Sequence, residues 1–436
     1  MKPWIRQFQA SEILDSRGNP TLSVQCVLTD QSIHEAGIPS GASTGSREAH
    51  ELRDGDPSRY RGLGVLQAIR AVEGELSDAI VAQQPEDQSG LDRLMIELDG
   101  TPGKNRLGAN SLLGCSIAFS RALAHRRKLP LYRSLHPGQA PTLIPVPYLN
   151  IWNGGVHAQW QGSDFQEYMI VPWGAASFRD ALRWSSEIYH ALQSELKKSH
   201  LPTGVGDEGG FAPPTTSNRA PIEFIAQAIE KSGFGPGADV AIALDLAASG
   251  FYESSGYLLR TEKRSLDSPG MVEYCASLVK DYPFLISLED PLSESDSESW
   301  PSLAERVGSQ VQIIGDDLYC TNPQLIENGI RTRQANSVLI KPNQIGTVSE
   351  TQAAIGTAVQ GGWRVMLSHR SGETLDAFIA DFVVASHAGQ IKAGAPARGE
   401  RIAKYNRLLA IEQELGREAR YAGPELIRLY SRGTRS

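Results

Sequence analysis

Apolar and polar positions alternate along residues 21–28, where Leu22, Val24, Cys26 and Leu28 interleave with Ser23, Gln25 and Val27. A period of two predicts a strand. The turn residues TDQS that follow predict an antiparallel partner in IHEAGIP. The period then lengthens. Leu66, Ile69, Val72, Leu76 and Ile80 predict one apolar helix face, and NSLLGCSIAFSRALAHRR (Asn110 to Arg127) predicts a second, more buried helix. A small α+β lid or capping domain over residues 1–138 is the expectation. The Pro- and Gly-rich HPGQAPTLIP then marks a linker near residue 140.

Beyond the linker, over residues 139–436, the rhythm changes. Short apolar runs end in polar residues, with helical patterns between them: VAIALD, FLISLED, VQIIGDD, SVLIK and RVMLSH. Their terminal polar residues are Asp245, Glu289, Asp316, Lys341 and His369, roughly 25 to 45 residues apart, which suits one strand plus one helix per repeat. Near-continuous apolar strands alternating with helices predict a parallel sheet covered on both faces. A doubly wound open sheet satisfies that pattern too. A closed β/α barrel explains more, because all its strand ends meet at one mouth and gather these reactive side chains there.

Three carboxylates converging on one point repel each other, and leaving them unpaired and partly buried costs several kcal/mol. Singly, each acid is as readily a helix cap or half of a surface ion pair. Together, and followed by a lysine, they call for a cation, and all-oxygen ligation suits Mg²⁺ or Mn²⁺ over zinc. Lys341 is either a partner for one acid or a base whose pKa is lowered by desolvation and metal charge. SHRSGET places His369, Arg370 and Ser371 before a helical pattern, a natural phosphate site or an ordinary capped helix start. VGDEGGF formally matches a dinucleotide-binding glycine pattern, but no apolar strand precedes it and two acids would repel a pyrophosphate. A tight or mobile loop presenting Glu208 is the better reading. GASTG formally matches a nucleophile elbow, which makes a serine hydrolase the rival reaction class. No strand–turn–helix unit surrounds it, so a glycine-rich lid with Ser43 as an oxygen ligand is preferred.

Composition narrows the field. The chain has 436 residues and a net charge of −8, with no basic footprint for nucleic acid. Four widely spaced cysteines without CxxC spacing predict free thiols in a reducing compartment. The N-terminus has no apolar core of a leader peptide, and no apolar run is long enough to cross a membrane. A cytoplasmic protein is the expectation. Base, acid, metal and phosphate site together predict one reaction type. A proton α to a carboxylate is removed, a group leaves the next carbon, and the metal stabilises the enolate.

The motifs ILDSRGNPT, PSGASTG, ELRDGD, GDEGGFAP, SLEDP, GDDL, KPNQIGT, SHRSGET, GQIKAGAP and KYNRLLAIEQELG, in this order, resemble the enolase family over nearly the whole chain. The resemblance implies an N-terminal α+β domain, a C-terminal modified β/α barrel, and dehydration of 2-phosphoglycerate to phosphoenolpyruvate in glycolysis. It implies a first Mg²⁺ on Asp245, Glu289 and Asp316, and a second that arrives with substrate and is held with Ser43. Lys341 becomes the base, and Glu208 supported by Glu167 the acid. Arg370 and Ser371 grip phosphate, His369 and Lys392 complete the pocket, and His157 comes down on a closing loop. Asp317 is structural.

Several positions depart from the family pattern. HAQWQGSDFQE has one extra residue and a bulky Trp160 in the closing loop; Gly250 stands for a usual glutamate and Ser297 for a usual tryptophan. Ser23 and Ala410 replace a common interface ion pair, so the expected homo-oligomer is either rebuilt or absent. The altered loop motivates a second reading, a relative acting on a phosphonate-bearing substrate, like a carboxyphosphonoenolpyruvate synthase. A non-catalytic binding role is the third; the complete acid set and Lys341 speak against it.

Overall fold

The computed structural model describes residues 3–41, 45–136, 138, 141–253 and 256–430. The first part holds a three-stranded antiparallel sheet, β1 (Ile5–Leu14), β2 (Pro20–Leu28) and β3 (Ile33–Gly37). The foreseen β2–β3 hairpin is present, with Val24 opposite Ala36. β1 went unread because only Ile5 and Phe8 along it are buried. The buried helix spans Ala109–Arg127 and lies on the sheet so closely that a Cβ at Gly114 would collide with Val24.

The other predicted helix is broken. Leu66–Ala71 and Ser77–Gln83 are α-helical, with a π-helical turn at Val72–Leu76 between them, where Gly74 leaves helical geometry (φ −95°, ψ −109°). The turn rotates the apolar face. Val72, Leu76 and Ile80 are buried, Ile69 is half-buried, and Leu66 is exposed.

Eight strands then close a barrel: β4 (Val146–Asn153), β5 (Glu167–Val171), β6 (Ala241–Asp245), β7 (Leu285–Glu289), β8 (Gln312–Gly315), β9 (Ser337–Ile340), β10 (Arg364–Ser368) and β11 (Gln390–Lys392). The expected all-parallel sheet needs one correction. β5 runs antiparallel to both neighbours, so its first residue, Glu167, lies at the mouth where the other strands end. A strand descending from the mouth cannot be followed by the usual single helix, because one helix would bring the chain back to the wrong end. Two helices, Phe178–Lys198 and Ala220–Lys231, pack together instead, and the turn between them carries Glu208 back to the mouth. The barrel's lower interior is packed with Tyr148, Met169, Ala243, Leu339 and Met366, which leaves the mouth for ligands.

Buried polar contacts lock the N-terminal part onto the barrel. Arg121 grips Asp376 with two bonds of 2.6 Å. Asp92 accepts the Ser349 backbone N–H at 2.8 Å and the Ser116 hydroxyl at 2.7 Å. Burial pushes the Asp92 carboxyl up to about 6 against those hydrogen bonds. Between its unfolded value of about 3.9 and about 6, the folded protein holds a proton that the unfolded chain has released, so Asp92 makes stability fall as pH rises through that window. Melting temperatures of Asp92→Asn between pH 4 and 6 should show a flatter pH slope than the parent. An unchanged slope would refute the assignment.

No helix among the described residues is long and apolar enough to cross a membrane. The four cysteines are free and buried.

Candidate active site

The paired acids after β8 become intelligible at the barrel mouth. β5, β6 and β7 place Glu167, Asp245 and Glu289 in one row, each in register with the next. Like charges in adjacent register repel. Lys392, the last residue of β11, reaches across the barrel into the row, with its Nζ at 3.0 Å from Glu167, 2.8 Å from Asp245 and 2.8 Å from Glu289. Lys341 directly follows β9 and caps the helical turn that Pro342 opens, and its ammonium is hydrogen-bonded to Asp316. Asp316 also accepts from Gln344 at 3.0 Å.

These contacts set the protonation pattern. Burial pushes the Glu289 carboxyl well above the usual carboxylate range, and Asp245 beside it adds to the shift. Burial likewise raises Glu167, reinforced by Glu208. For Asp316 burial acts the same way, but Lys341 overcomes it and the carboxyl is lowered. Lys341 is the counterpart. Burial disfavours its ammonium, Asp316 more than offsets that, and its pKa is raised. This differs from the lowering expected of a base, because the charge facing Lys341 here is an acid.

Asp317 is pushed up to about 7, by burial and then by Asp316. Its backbone N–H and that of Asp316 both donate to Asp290, at 2.9 Å and 2.8 Å, so Asp290 anchors the acidic turn. Carboxylate oxygens of Asp290, Asp316 and Asp317 lie within 4.8 Å of one another. Of the trio Asp245, Glu289 and Asp316, the first two are bridged by Lys392 and the third is paired with Lys341. The donors fit a hard divalent cation. All are oxygens, and the buried Oε2 of Glu289 has no hydrogen-bond partner among the described residues. Ser43 lies outside the described residues.

Beside Glu167, at the end of that row, stand Glu208, His157 and His369. Ligand atoms of His157, Glu167 and Glu208 approach within 4.8 Å of one another. Two buried carboxyls that close cannot both ionise freely, and the pair splits: Glu167 is raised, whereas at Glu208 burial is overcome by His369 and His157 beside it and the carboxyl is lowered, so the proton of the pair rests on Glu167. Glu208 accepts from Asn150 at 3.1 Å and faces His369 Nε2 at 3.3 Å. A guanidinium only donates, so the Arg401 Nη1–His369 Nδ1 contact of 2.7 Å makes Nδ1 the acceptor and leaves the ring proton on Nε2, toward Glu208. Burial lowers His369 to about 4, which keeps the ring neutral at pH 7.

Arg370 is clasped by Glu48 through bonds of 2.9 and 3.1 Å and donates to Asn343 at 3.0 Å. Arg370 and Ser371 line a pocket of ≈ 300 Å³ together with Lys341, Lys392, Glu208 and His157. Every site residue foreseen within the described part thus converges on this mouth. Glu48, Asn150, Gln344 and Arg401 were missed. Glu48 sits on an irregular loop with no periodic signal. Arg401 falls in the helix Gly399–Leu415, where an arginine ordinarily faces solvent, yet it is fully buried.

A buried lysine, a close pair of carboxyls, Arg370 and Ser371 line one pocket at the mouth of a β/α barrel, where enzymes of this fold carry their active sites. Residues 5–135 match the family described as Enolase, N-terminal domain, and residues 141–429 match Enolase, C-terminal TIM barrel domain. Among curated relatives, an Enolase 2 of Pseudomonas syringae pv. tomato is 51% identical over 97% of this chain and 99% of its own. An Enolase of Tropheryma whipplei is 51% identical over 96% of this chain and 97% of its own. The chain belongs to the enolase family, whose members are magnesium-dependent phosphopyruvate hydratases.

Proposed function

We propose that this chain dehydrates 2-phosphoglycerate to phosphoenolpyruvate and water, the enolase step of glycolysis. One observation carries the reading: Lys341 and the Glu208–Glu167 acid pair flank one pocket that also holds Arg370 and Ser371. Lys341 takes the α-proton. Glu208, sharing a proton with Glu167, delivers it to the departing 3-hydroxyl. Arg370 and Ser371 bind the phosphate, His369 and Lys392 complete the pocket, and His157 covers the substrate. Asp245, Glu289 and Asp316 would hold a magnesium ion, with Ser43 serving a second, and the bound metal would supply positive charge to offset what develops on the substrate carboxylate. Were Asp316 to face a cation instead, Lys341 would lose the partner that holds its proton, and burial would then favour the neutral amine that a base requires.

No observation favours a phosphonate-bearing substrate. We place the domain division at residues 1–138 and 139–436, and the protein in the cytoplasm, consistent with four unpaired thiols. Family members are generally oligomeric, and we propose a homo-oligomer here too. Ser23 is bonded to Glu35 of its own sheet at 2.5 Å and Ala410 carries no charge, so an interface at that position would have to form without the usual ion pair.

Purified protein given 2-phosphoglycerate and Mg²⁺ should form phosphoenolpyruvate, followed by its ultraviolet absorbance. A chelator should abolish turnover and added Mg²⁺ restore it. A folded, metal-binding protein without turnover would refute the reading.

A further inference from the structure

Two departures noted in the sequence, Trp160 and Gly250, meet in space. A Cβ built on Gly250 would lie 3.1 Å from Cη2 and 3.4 Å from Cζ2 of the Trp160 ring. That is tighter than ordinary van der Waals contact, so the ring rests on a floor that a side chain at 250 would raise. Above the ring, the Arg260 guanidinium sits 5.2 Å from its centroid, and Glu253 holds Arg260 there through a 2.6 Å ion pair. The next residue extends the attachment. Thr261 donates its hydroxyl to Gly162 O at 2.7 Å and its backbone N–H to Asp164 at 3.2 Å. Gly250, Arg260 and Thr261 thus grip the loop at its Trp160 end.

The same loop carries His157 at its other end. Trp160 N–H donates to Gly155 O at 2.8 Å, and Gly155 N–H to Ser163 O at 2.8 Å, so residues 155–163 form one closed turn. His157 is buried, with Nδ1 3.9 Å from Glu208. Tilting Trp160 off Gly250 would lever this turn away from the mouth.

We propose that Trp160, seated on Gly250 and capped by Arg260, is a positioning residue that latches the 155–163 loop shut, so that His157 is held over the pocket before substrate arrives. The inference rests on the enolase reading for what His157 meets, but not for the latch itself. A loop that is already closed demands no closing free energy from the substrate. Opening it lowers the binding-competent fraction, and apparent affinity falls by that fraction.

The test is amide hydrogen exchange of residues 155–163 in substrate-free protein, for the parent, Trp160→Ala, Gly250→Glu and the double variant. Each single variant should exchange about tenfold faster, and the double variant no faster than either, because both break one contact. With 2-phosphoglycerate, KM should rise about tenfold while kcat stays within about threefold. Unchanged exchange in both single variants would overturn the latch. So would a fall in kcat at unchanged KM. If the parent failed to turn over 2-phosphoglycerate while exchange responded as expected, the substrate reading would fail and the latch would stand.

Discussion

Lys341→Ala is expected to lower kcat by about 10³-fold, within the range for loss of a general base, while leaving the barrel folded. The decisive readout is the α-proton. Parent enzyme in deuterated water should wash deuterium into the C2 position of 2-phosphoglycerate, and the variant should not. Glu208→Gln should separate the steps. It should stop product formation yet retain C2 exchange, because Lys341 is untouched. Persistent exchange in Lys341→Ala would move the base to another residue. The variant also leaves Asp316 buried without its lysine, although Gln344 still donates to it. A modest loss of stability is therefore expected, and circular dichroism distinguishes it from unfolding.

Lys392→Ala should produce the largest stability loss. The ammonium holds Glu167, Asp245 and Glu289 together, and its side chain is only 3% exposed. Removing it leaves three buried, mutually repelling carboxyls, a defect worth about 3–5 kcal/mol. Urea unfolding in chelator should show that deficit. Saturating Mg²⁺ should reduce it, since a ligand of the folded state stabilises by mass action. The pH sign is fixed. Burial opposes the Lys392 charge, but Asp245 and its companions win and raise the pKa far above the ordinary lysine value. Its contribution is therefore fully present below the unfolded value of about 10.4 and fades only as pH climbs through the folded one. Its share of the deficit should not vary between pH 7 and 9. A deficit below about 1 kcal/mol in chelator would show that the row does not depend on this lysine.

The strand ends were legible because each pairs an apolar run with an abrupt polar stop: VAIALD, FLISLED, VQIIGDD, SVLIK and RVMLSH all ended where the polar residue met the mouth. The remaining barrel strands were not read from pattern. β11 is three residues long, and β5 begins rather than ends with its acid, so it carries the signal in reverse. Its reversal depends on pairings with β4 and β6 that no local window contains. The helix through Ile80 misled for a local reason. Its apolar spacing is regular, but Gly74 lets the backbone form a π turn that rotates the face. Among site residues, motif resemblance supplied Glu167, His157, Lys392 and the acid role of Glu208, while Glu48 and Arg401 emerged only once the chain was folded. Both act across more than 30 residues of sequence, Glu48 on Arg370 and Arg401 on His369. The direction of the Lys341 shift was also beyond reach, because it depends on whether Asp316 faces the lysine or something else.

The reversed strand has a consequence for how such a site diverges. In a regular barrel every connection at the mouth must lead into a helix packed on the outer wall, so lengthening it disturbs that packing. Reversing β5 exempts two connections. Residues 154–166 join antiparallel neighbours as a hairpin, and residues 199–219 join two helices already packed on each other. Each is tethered by elements that an insertion leaves in place. These are the two segments that bear His157 and Glu208, so the barrel keeps its acids and Lys341 on rigid strand ends and puts its substrate-facing variation on free spans. The extra residue and Trp160 in the first span are the kind of change this topology admits without cost to the scaffold.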